Sequence, residues 1–209
     1  AIAFFMLTGE LMTSATITDR LVSLSRALIG RIRGGLAQVN VLVSMFFAGM
    51  NGSVVADTAT VGALVLPAMK KAGYPAAFSA AVTGVSSTIG GIIPPSIMMI
   101  VLANSTEISI AALFAAGIIP GVLIGVVIMI INHYFAIKHN FERSDQPFSI
   151  RRAGKELYRS SFALLIPLVL VGSVMGGVAS VVEAGAITAM VALFTGVFVY
   201  RTIKWKDCT

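Results

Sequence analysis

Ser86-Ser87-Thr88-Ile89-Gly90-Gly91-Ile92-Ile93-Pro94-Pro95-Ser96 interrupts what is otherwise one long apolar run through residues 75–102. Two adjacent glycines and two adjacent prolines cannot all sit in a regular helix. The prolines lack a backbone N–H, and the residue before each is pushed out of the helical region. Gly90 and Gly91 add backbone freedom where the hydrogen-bond ladder fails. In hydrocarbon an unpaired backbone group costs several kcal/mol, so a broken helix persists only where protein or a watery cavity receives it. A lone proline would read as an ordinary kink. Gly-Gly and Pro-Pro flanked by Ser86, Ser87, Thr88 and Ser96 read instead as two half-helices meeting at a hydroxyl-rich break, the construction from which secondary transporters build ion and substrate sites.

The composition around this break demands a membrane. Of 209 residues, 57% are hydrophobic and 11% charged, with a mean hydropathy of +0.93. These values belong to an all-α polytopic membrane protein with room for about five or six crossings and no sizeable aqueous domain. The net charge of +6 is explained by where the charges fall and not by a nucleic-acid partner. All fifteen Lys and Arg residues lie in four clusters: Arg20, Arg26, Arg31 and Arg33; Lys70 and Lys71; Lys138, Arg143, Arg151, Arg152, Lys155 and Arg159; and Arg201, Lys204 and Lys206. The positive-inside rule assigns such clusters to the cytoplasmic side. The one cysteine, Cys208, permits no internal disulfide. The opening Ala1-Ile2-Ala3-Phe4-Phe5 lacks a starting Met and a basic n-region, so no signal peptide is read and an internal fragment is expected.

The segments between the clusters then follow. Residues 1–34 are a helix end plus an amphipathic interface helix over 18–33, with Leu21, Leu24, Leu28 and Ile32 set against Arg20 and Arg31; a plain cytoplasmic loop is the alternative. Residues 35–74, with basic clusters at both ends, must enter the membrane and come back. Arms of about 16 residues span about 24 Å, short of the ~30 Å hydrocarbon core, so a re-entrant helical hairpin is expected. Its turn is Gly49-Met50-Asn51-Gly52-Ser53. Residues 75–107 are a broken transmembrane helix that opens on Pro75 as its first helical residue. Residues 108–137 return, with a kink at Pro120-Gly121, and 138–159 form a basic cytoplasmic segment. Residues 160–209 carry two transmembrane helices, joined by an uncharged turn over 176–182, and a basic end.

Acidic residues outside the basic clusters are Glu10, Asp57, Glu107 and Glu183, and a charge inside hydrocarbon is a functional-site candidate by default. Asp57 follows the hairpin tip, where it either satisfies amides at the start of the outgoing arm or tunes a cation site. Glu183 complements the dipole of the last helix, Glu10 is expected to face a protein interior, and Glu107 belongs to a solvated loop. A sodium site needs several hard oxygens, which freed carbonyls and hydroxyls supply without net charge. The tip (Asn51, Gly52, Ser53, with Asp57) and the break (Ser86, Ser87, Thr88, Gly90, Gly91, Pro94, Pro95, Ser96) offer such atoms, both at mid-depth, so they can face one another. Half-helix N-termini there would also attract an anionic substrate. No enzyme constellation is present. His133 and His139 lack metal-ligand partners at useful spacing, an intramembrane aspartyl protease would need a second membrane aspartate, and no Walker-type loop binds nucleotide. Gly117, Gly121 and Gly125 read as helix packing.

Gly49-Met-Asn-Gly-Ser-Val-Val-Ala-Asp57, Leu66-Pro-Ala-Met-Lys-Lys-Ala-Gly-Tyr74 and the run from Ser86 to Ser96, with Phe4-Phe-Met-Leu-Thr-Gly-Glu-Leu-Met12 and Ala116-Gly-Ile-Ile-Pro-Gly121, closely resemble the large membrane subunit of tripartite ATP-independent periplasmic (TRAP) transporters over essentially the whole chain. The resemblance implies the first of two inverted halves, each with a re-entrant hairpin and a broken helix. It further implies a multi-pass protein of the bacterial inner membrane that imports a small organic acid, C4-dicarboxylate or sialic-acid-like, with sodium as coupling ion and by an elevator motion. The implied partners are a small membrane (Q-type) subunit, a periplasmic substrate-binding protein, the second half of the subunit and the lipid bilayer. Alternatives are a divalent-anion/sodium symporter without a binding protein and an ion channel. The chain departs from the family pattern at Asn51, where Ser is more usual, at Gly91, where Pro is usual, and at Ser180-Val-Val-Glu183, which replaces Thr-Pro-Thr-Glu.

The hairpin reading has a direct topological consequence. With Cys208 replaced, single cysteines at Arg33 and Lys71 are expected to label from the cytoplasm. Strong labelling at Asn51 by an impermeant reagent added outside would contradict re-entrance.

Overall fold

The computed structural model describes residues 2–14, 17–30, 32–141 and 150–200, and every regular element in them is helical. In chain order these are α1 (Ile2–Ser14), α2 (Ile17–Ile29), α3 (Gly35–Asn51), α4 (Val54–Lys71), α5 (Ala76–Ser87), a 3₁₀ turn (Thr88–Gly91), α6 (Ile97–Thr106), α7 (Ile110–Lys138), α8 (Ile150–Arg159), α9 (Ser161–Met175) and α10 (Val181–Phe194), continued by a π turn (Thr195–Val199).

Helix α3 is the hub. It is uncharged and mostly apolar, with Ala37, Val39, Val41, Val43, Phe47, Ala48 and Met50 buried, and a helix of that kind is enclosed by others. It packs against α2, α4, α5 and α7. The link from α3 to α4 is Gly52 and Ser53, so the two form a tight helical hairpin. At about 1.5 Å per residue their 17 and 18 residues extend about 26 Å each. The α5 helix stops at Ser87 and α6 starts at Ile97, so the apolar run through residues 75–102 is broken over 88–96.

Helix α7 is the one described helix long and apolar enough by itself to cross a membrane, and it continues through Pro120. Its buried stripe is Gly117, Gly121, Gly125, Ile128, Asn132 and Ala136, while Ile119, Leu123, Ile130 and Tyr134 are exposed on the opposite side. The glycines are contact points: the Ile92 carbonyl and the Met99 methyl lie where a Gly117 side chain would begin, Ile93 does so at Gly121, and the Met45 thioether at Gly125. An outward apolar face this long suits hydrocarbon or a protein partner, not water.

The described parts of the first three basic clusters gather at one end. The Ser160 hydroxyl donates to the Arg20 carbonyl at 3.3 Å, the Tyr200 hydroxyl to the Arg159 carbonyl at 3.0 Å, and the Arg20 guanidinium lies 4.2 Å from the Tyr200 ring centre. Tyr74, just after Lys70 and Lys71, meets Phe141, just after Lys138, at 4.6 Å between ring centres. At the other end Ile100, Phe114, Leu170, Val174 and Ala184 form a separate small core. Convergence of the positive charge on one end is what a chain oriented by that charge requires.

Several details differ from the sequence reading. Glu10 is exposed, because Thr8 and Met12, one turn apart on α1, take the buried side. Pro75 caps α5 and is not its first helical residue. The segment after Lys138 contains a helix, α8. Leu28 and Ile32 stay 41% and 40% exposed, and α2 ends at Ile29, before its apolar pattern reaches Ile32. Arg31, Arg143, Arg201, Lys204, Lys206 and Cys208 lie outside the described residues.

Gly117→Ala should lower the thermal midpoint of the purified protein, since overpacking costs about 1–3 kcal/mol. Gly172→Ala, where a new methyl meets nothing within 4 Å, should be neutral or stabilising. Equal midpoints would contradict the close α6–α7 seam.

Candidate functional site

The tip of the α3–α4 hairpin sits on the break between α5 and α6. Gly52 adopts the left-handed conformation, φ 60 and ψ 20, that reverses the chain after α3. Its carbonyl accepts a hydrogen bond of 3.1 Å from the amide of Ile97, a first-turn amide of α6 with no partner in its own helix. The approach leaves no room for a side chain: a methyl at Gly52 would run into the Pro95 carbonyl and lie 2.9 Å from the Ser96 Cα. Gly90 faces the backbone of Ser53 and Val54, and Gly91 the Val54 side chain. The turn stops beside the middle of α9, where Pro167 would lie 3.2 Å from a methyl on Gly49.

Both half-helix starts are capped by serine. The Ser53 hydroxyl accepts from the Ala56 amide at 3.4 Å, and the Ser96 hydroxyl accepts from the Met99 amide at 3.4 Å while donating to the Gly91 carbonyl at 2.8 Å. The break also ties itself off, because the amides of Ile92 and Ile93 both donate to the Ile89 carbonyl at 2.9 Å. Thr88 is exposed, with its hydroxyl turned back to the Val85 carbonyl. Pro94 and Pro95 are joined by a cis peptide. Asn51 ends α3, and a ligand role for its side chain falls outside the described residues.

Behind the tip lies a polar layer between α3, α4 and α5. The Asn40 amide donates to the Thr83 hydroxyl at 2.7 Å. The Ser86 hydroxyl stands 3.4 Å from the Asn40 side-chain oxygen and 3.2 Å from the Ser44 hydroxyl. Ser87 donates to the Thr83 carbonyl at 2.8 Å. Asp57 reaches this layer from α4. It is 0% exposed, and neither carboxylate oxygen has a hydrogen-bond partner among the described residues. The Ser44 and Ser87 hydroxyls flank it. Its capping role is therefore corrected: Ser53 caps α4, and Asp57, one turn on, faces inward.

The structure thus joins Gly52, Ser53, Gly90, Gly91, Pro95 and Ser96 at one contact and sets Asp57, Ser86 and Ser87 behind it. The sequence reading missed Asn40, Ser44 and Thr83. Their signal was spacing: Asn40 and Ser44 are one turn apart on α3, as Thr83 and Ser87 are on α5, so each pair draws a polar stripe on an apolar helix. Glu183 belongs to a helix cap, accepting from the Ser180 amide at 2.8 Å while the Ser180 hydroxyl accepts from the Glu183 amide at 3.3 Å. Among the described residues no cluster of three His, Cys, Asp or Glu side chains could hold a metal ion. A cation at this site would meet carbonyls, hydroxyls, an amide oxygen and one carboxylate.

Over residues 1–209 the chain matches the family described as "Tripartite ATP-independent periplasmic transporter, DctM component". It is 36% identical over 208 residues to the C4-dicarboxylate TRAP transporter large permease protein DctM of Pseudomonas aeruginosa, covering 100% of this chain and 48% of that protein. It is 36% identical over 203 residues to the sialic acid TRAP transporter large permease protein SiaM of Vibrio cholerae (97% and 47%). It is 38% identical over 205 residues to the 2,3-diketo-L-gulonate TRAP transporter large permease protein YiaN of Escherichia coli (98% and 48%). The chain spans about half the length of these curated relatives.

Gly52→Ala should destabilise the protein more than Gly73→Ala. Both positions have positive φ, +60 and +79, but a methyl at Gly73 meets nothing within 4 Å. The shared backbone term is about 1–2 kcal/mol, and Gly52 adds about 1–3 kcal/mol for the collision with Pro95 and Ser96. Equal losses in thermal unfolding would contradict the tip–break contact.

Proposed function

The chain belongs to the membrane-embedded family of the DctM component of tripartite ATP-independent periplasmic transporters, and from that membership we propose that it forms half of the transport path of a sodium-coupled organic-acid importer, not an enzyme. In this reading the protein is a multi-pass subunit of the bacterial inner membrane with its basic end in the cytoplasm. The α3–α4 hairpin is re-entrant and the α5–α6 run is a broken transmembrane helix. The observation that carries the reading is the contact of Gly52 with Ile97, which sets a hairpin tip on a helix break beside the middle of α9.

Such a junction presents backbone carbonyls and hydroxyls without charge, suited to a hard monovalent cation, with two half-helix N-termini suited to an anion. Sodium bound between Asn51, Ser53 and the carbonyls of the break would fix the tip against α6 and complete the adjoining anion site. This is how binding of ion and acid becomes coupled. The substrate class is a small carboxylate such as a C4-dicarboxylate or sialic acid, as the names of the relatives suggest. A periplasmic binding protein would deliver it, and a small membrane subunit would complete the complex. The other half of the path comes from the second half of a full-length subunit, and an elevator motion carries the site across the membrane.

Uptake by the complete complex in proteoliposomes tests this reading. It should be saturable, require the binding protein and depend on sodium. Ser53→Ala should raise the half-maximal sodium concentration about tenfold to hundredfold, because one lost ligand costs about 1–3 kcal/mol. Uptake indifferent to sodium would contradict the coupling. Uptake indifferent to the binding protein would favour a symporter that works without one.

A further inference from the structure

Asp57 has a problem that the tip–break junction does not solve. A fully buried carboxylate in a low-dielectric interior needs a compensating charge or several donors. Neither of its oxygens has a donor among the described residues. Among the described residues, the helices that pack on it offer no basic side chain close by. Helix α4 packs against α3, α5 and the 3₁₀ turn, and GLAQVNVLVSMFFAGMN, AAFSAAVTGVSS and TIGG contain no ionisable residue at all. On α4 itself the cations are Lys70 and Lys71, the nearer 13 residues along (70 minus 57) and so about 20 Å away. None of the described helices packed on Asp57 supplies a compensating charge.

The polar groups that flank the carboxylate are hydroxyls. The Ser44 and Ser87 hydroxyls flank it, and Ser86 links Ser44 to the side-chain oxygen of Asn40. These groups are buried, at 0% exposure for Asn40, Ser44, Ser86 and Ser87. The Ser87 hydrogen is committed to the Thr83 carbonyl, and the Asn40 amide hydrogens to Thr83 and the Met69 sulfur. With its hydrogen on the Thr83 carbonyl, the Ser87 hydroxyl has lone pairs to offer a cation. One negative charge flanked by hydroxyls is neutralised by a monovalent hard cation, whereas a divalent ion would leave a net charge buried.

We infer that Asp57 is the anionic ligand of a monovalent-cation site behind the tip–break junction, with the Ser44 and Ser87 hydroxyls as its neutral ligands. The inference deepens the sodium-coupled reading by adding an ion that the tip does not hold. Because Asp57 stands on α4, Ser44 on α3 and Ser87 on α5, the ion would clamp both arms of the hairpin to the first half of the broken helix. The tip ion acts on the second half.

The test is thermal unfolding of the complete complex in buffers of constant ionic strength, titrating sodium against choline. Lithium and potassium titrations run in parallel, with wild type beside Asp57→Asn and Ser44→Ala. In choline, Asp57→Asn should be at least as stable as wild type, because it removes an uncompensated buried charge. Sodium should stabilise wild type strongly and Asp57→Asn much less. Ser44→Ala keeps the charge and should need about tenfold more sodium for the same effect. Bound sodium per complex, measured with a radioactive tracer, should be lower by one in Asp57→Asn and unchanged at saturation in Ser53→Ala. Sodium stabilisation and tracer counts that are equal in wild type, Asp57→Asn and Ser44→Ala would overturn the inference while leaving coupling at the tip intact. Stabilisation of wild type by acid alone, with no response to any alkali cation, would overturn it too, because the carboxyl then simply holds a proton. A wild type that responds to lithium or potassium through Asp57 but not to sodium would support the site and sink the sodium reading.

Discussion

The amide of Ile97 donates to the carbonyl of Gly52 across 3.1 Å, and much of the architecture follows from the need for that bond. Inside a membrane each peptide group must find a partner, and a helix that stops at mid-depth exposes several that have none. In the proposed reading the sequence stops two elements there, the hairpin at Gly52 and the α5–α6 run over 88–96. Each end supplies part of what the other lacks. The carbonyl at the end of α3 meets the amide at the start of α6, Ser53 and Ser96 cap the new helices, and the 3₁₀ turn folds the Ile92 and Ile93 amides onto Ile89. A side chain on Gly52 would force the two apart, so a residue with no Cβ stands where the backbones touch.

This arrangement also explains why α3 is the most enclosed helix. It bears the tip at one end and packs against α5, whose Thr83, Ser86 and Ser87 have no water to turn to. Asn40 and Ser44 on α3 answer them, forming a network that stitches the hairpin to the broken helix. Buried polar networks favour one arrangement over its neighbours because a slipped register strands their members. Asp57 is the member whose charge the network leaves unbalanced. Its burial beside hydroxyl neighbours is the observation that most directly ties packing to ion chemistry.

The break and the tip were legible in the sequence because Gly-Gly, Pro-Pro and Asn51-Gly52 act locally, through backbone geometry that tertiary contacts cannot override. The gathering of the first three clusters at one end, in their described residues, was equally legible, since charge placement is a property of the chain order. The partners of the hydroxyls were not. Asn40 and Ser44 are single polar residues in an apolar helix, and which side of α3 faces α5 is decided by packing. Glu10 was expected inside because a charge in hydrocarbon is expensive, but packing turned Thr8 and Met12 to the buried side instead. At Asp57 the sequence left a cap and a cation site open. The cap needs the residue just before the first turn, and Ser53 holds that place.

The central claim is that the hairpin tip rests on the helix break within the membrane, and trapping the contact chemically tests it most directly. A β carbon at Gly91 would lie 3.3 Å from the Val54 side chain, within the reach of a disulfide between the two positions. With Cys208 replaced by Ser, the Val54→Cys, Gly91→Cys pair in native membranes should cross-link rapidly under mild oxidation. A control pair of Cys at Val55, which is 79% exposed, and Gly91 should not. Efficient cross-linking of the first pair alone is the result the account predicts. Failure of that pair to close, in protein that folds and reaches the membrane, would contradict it.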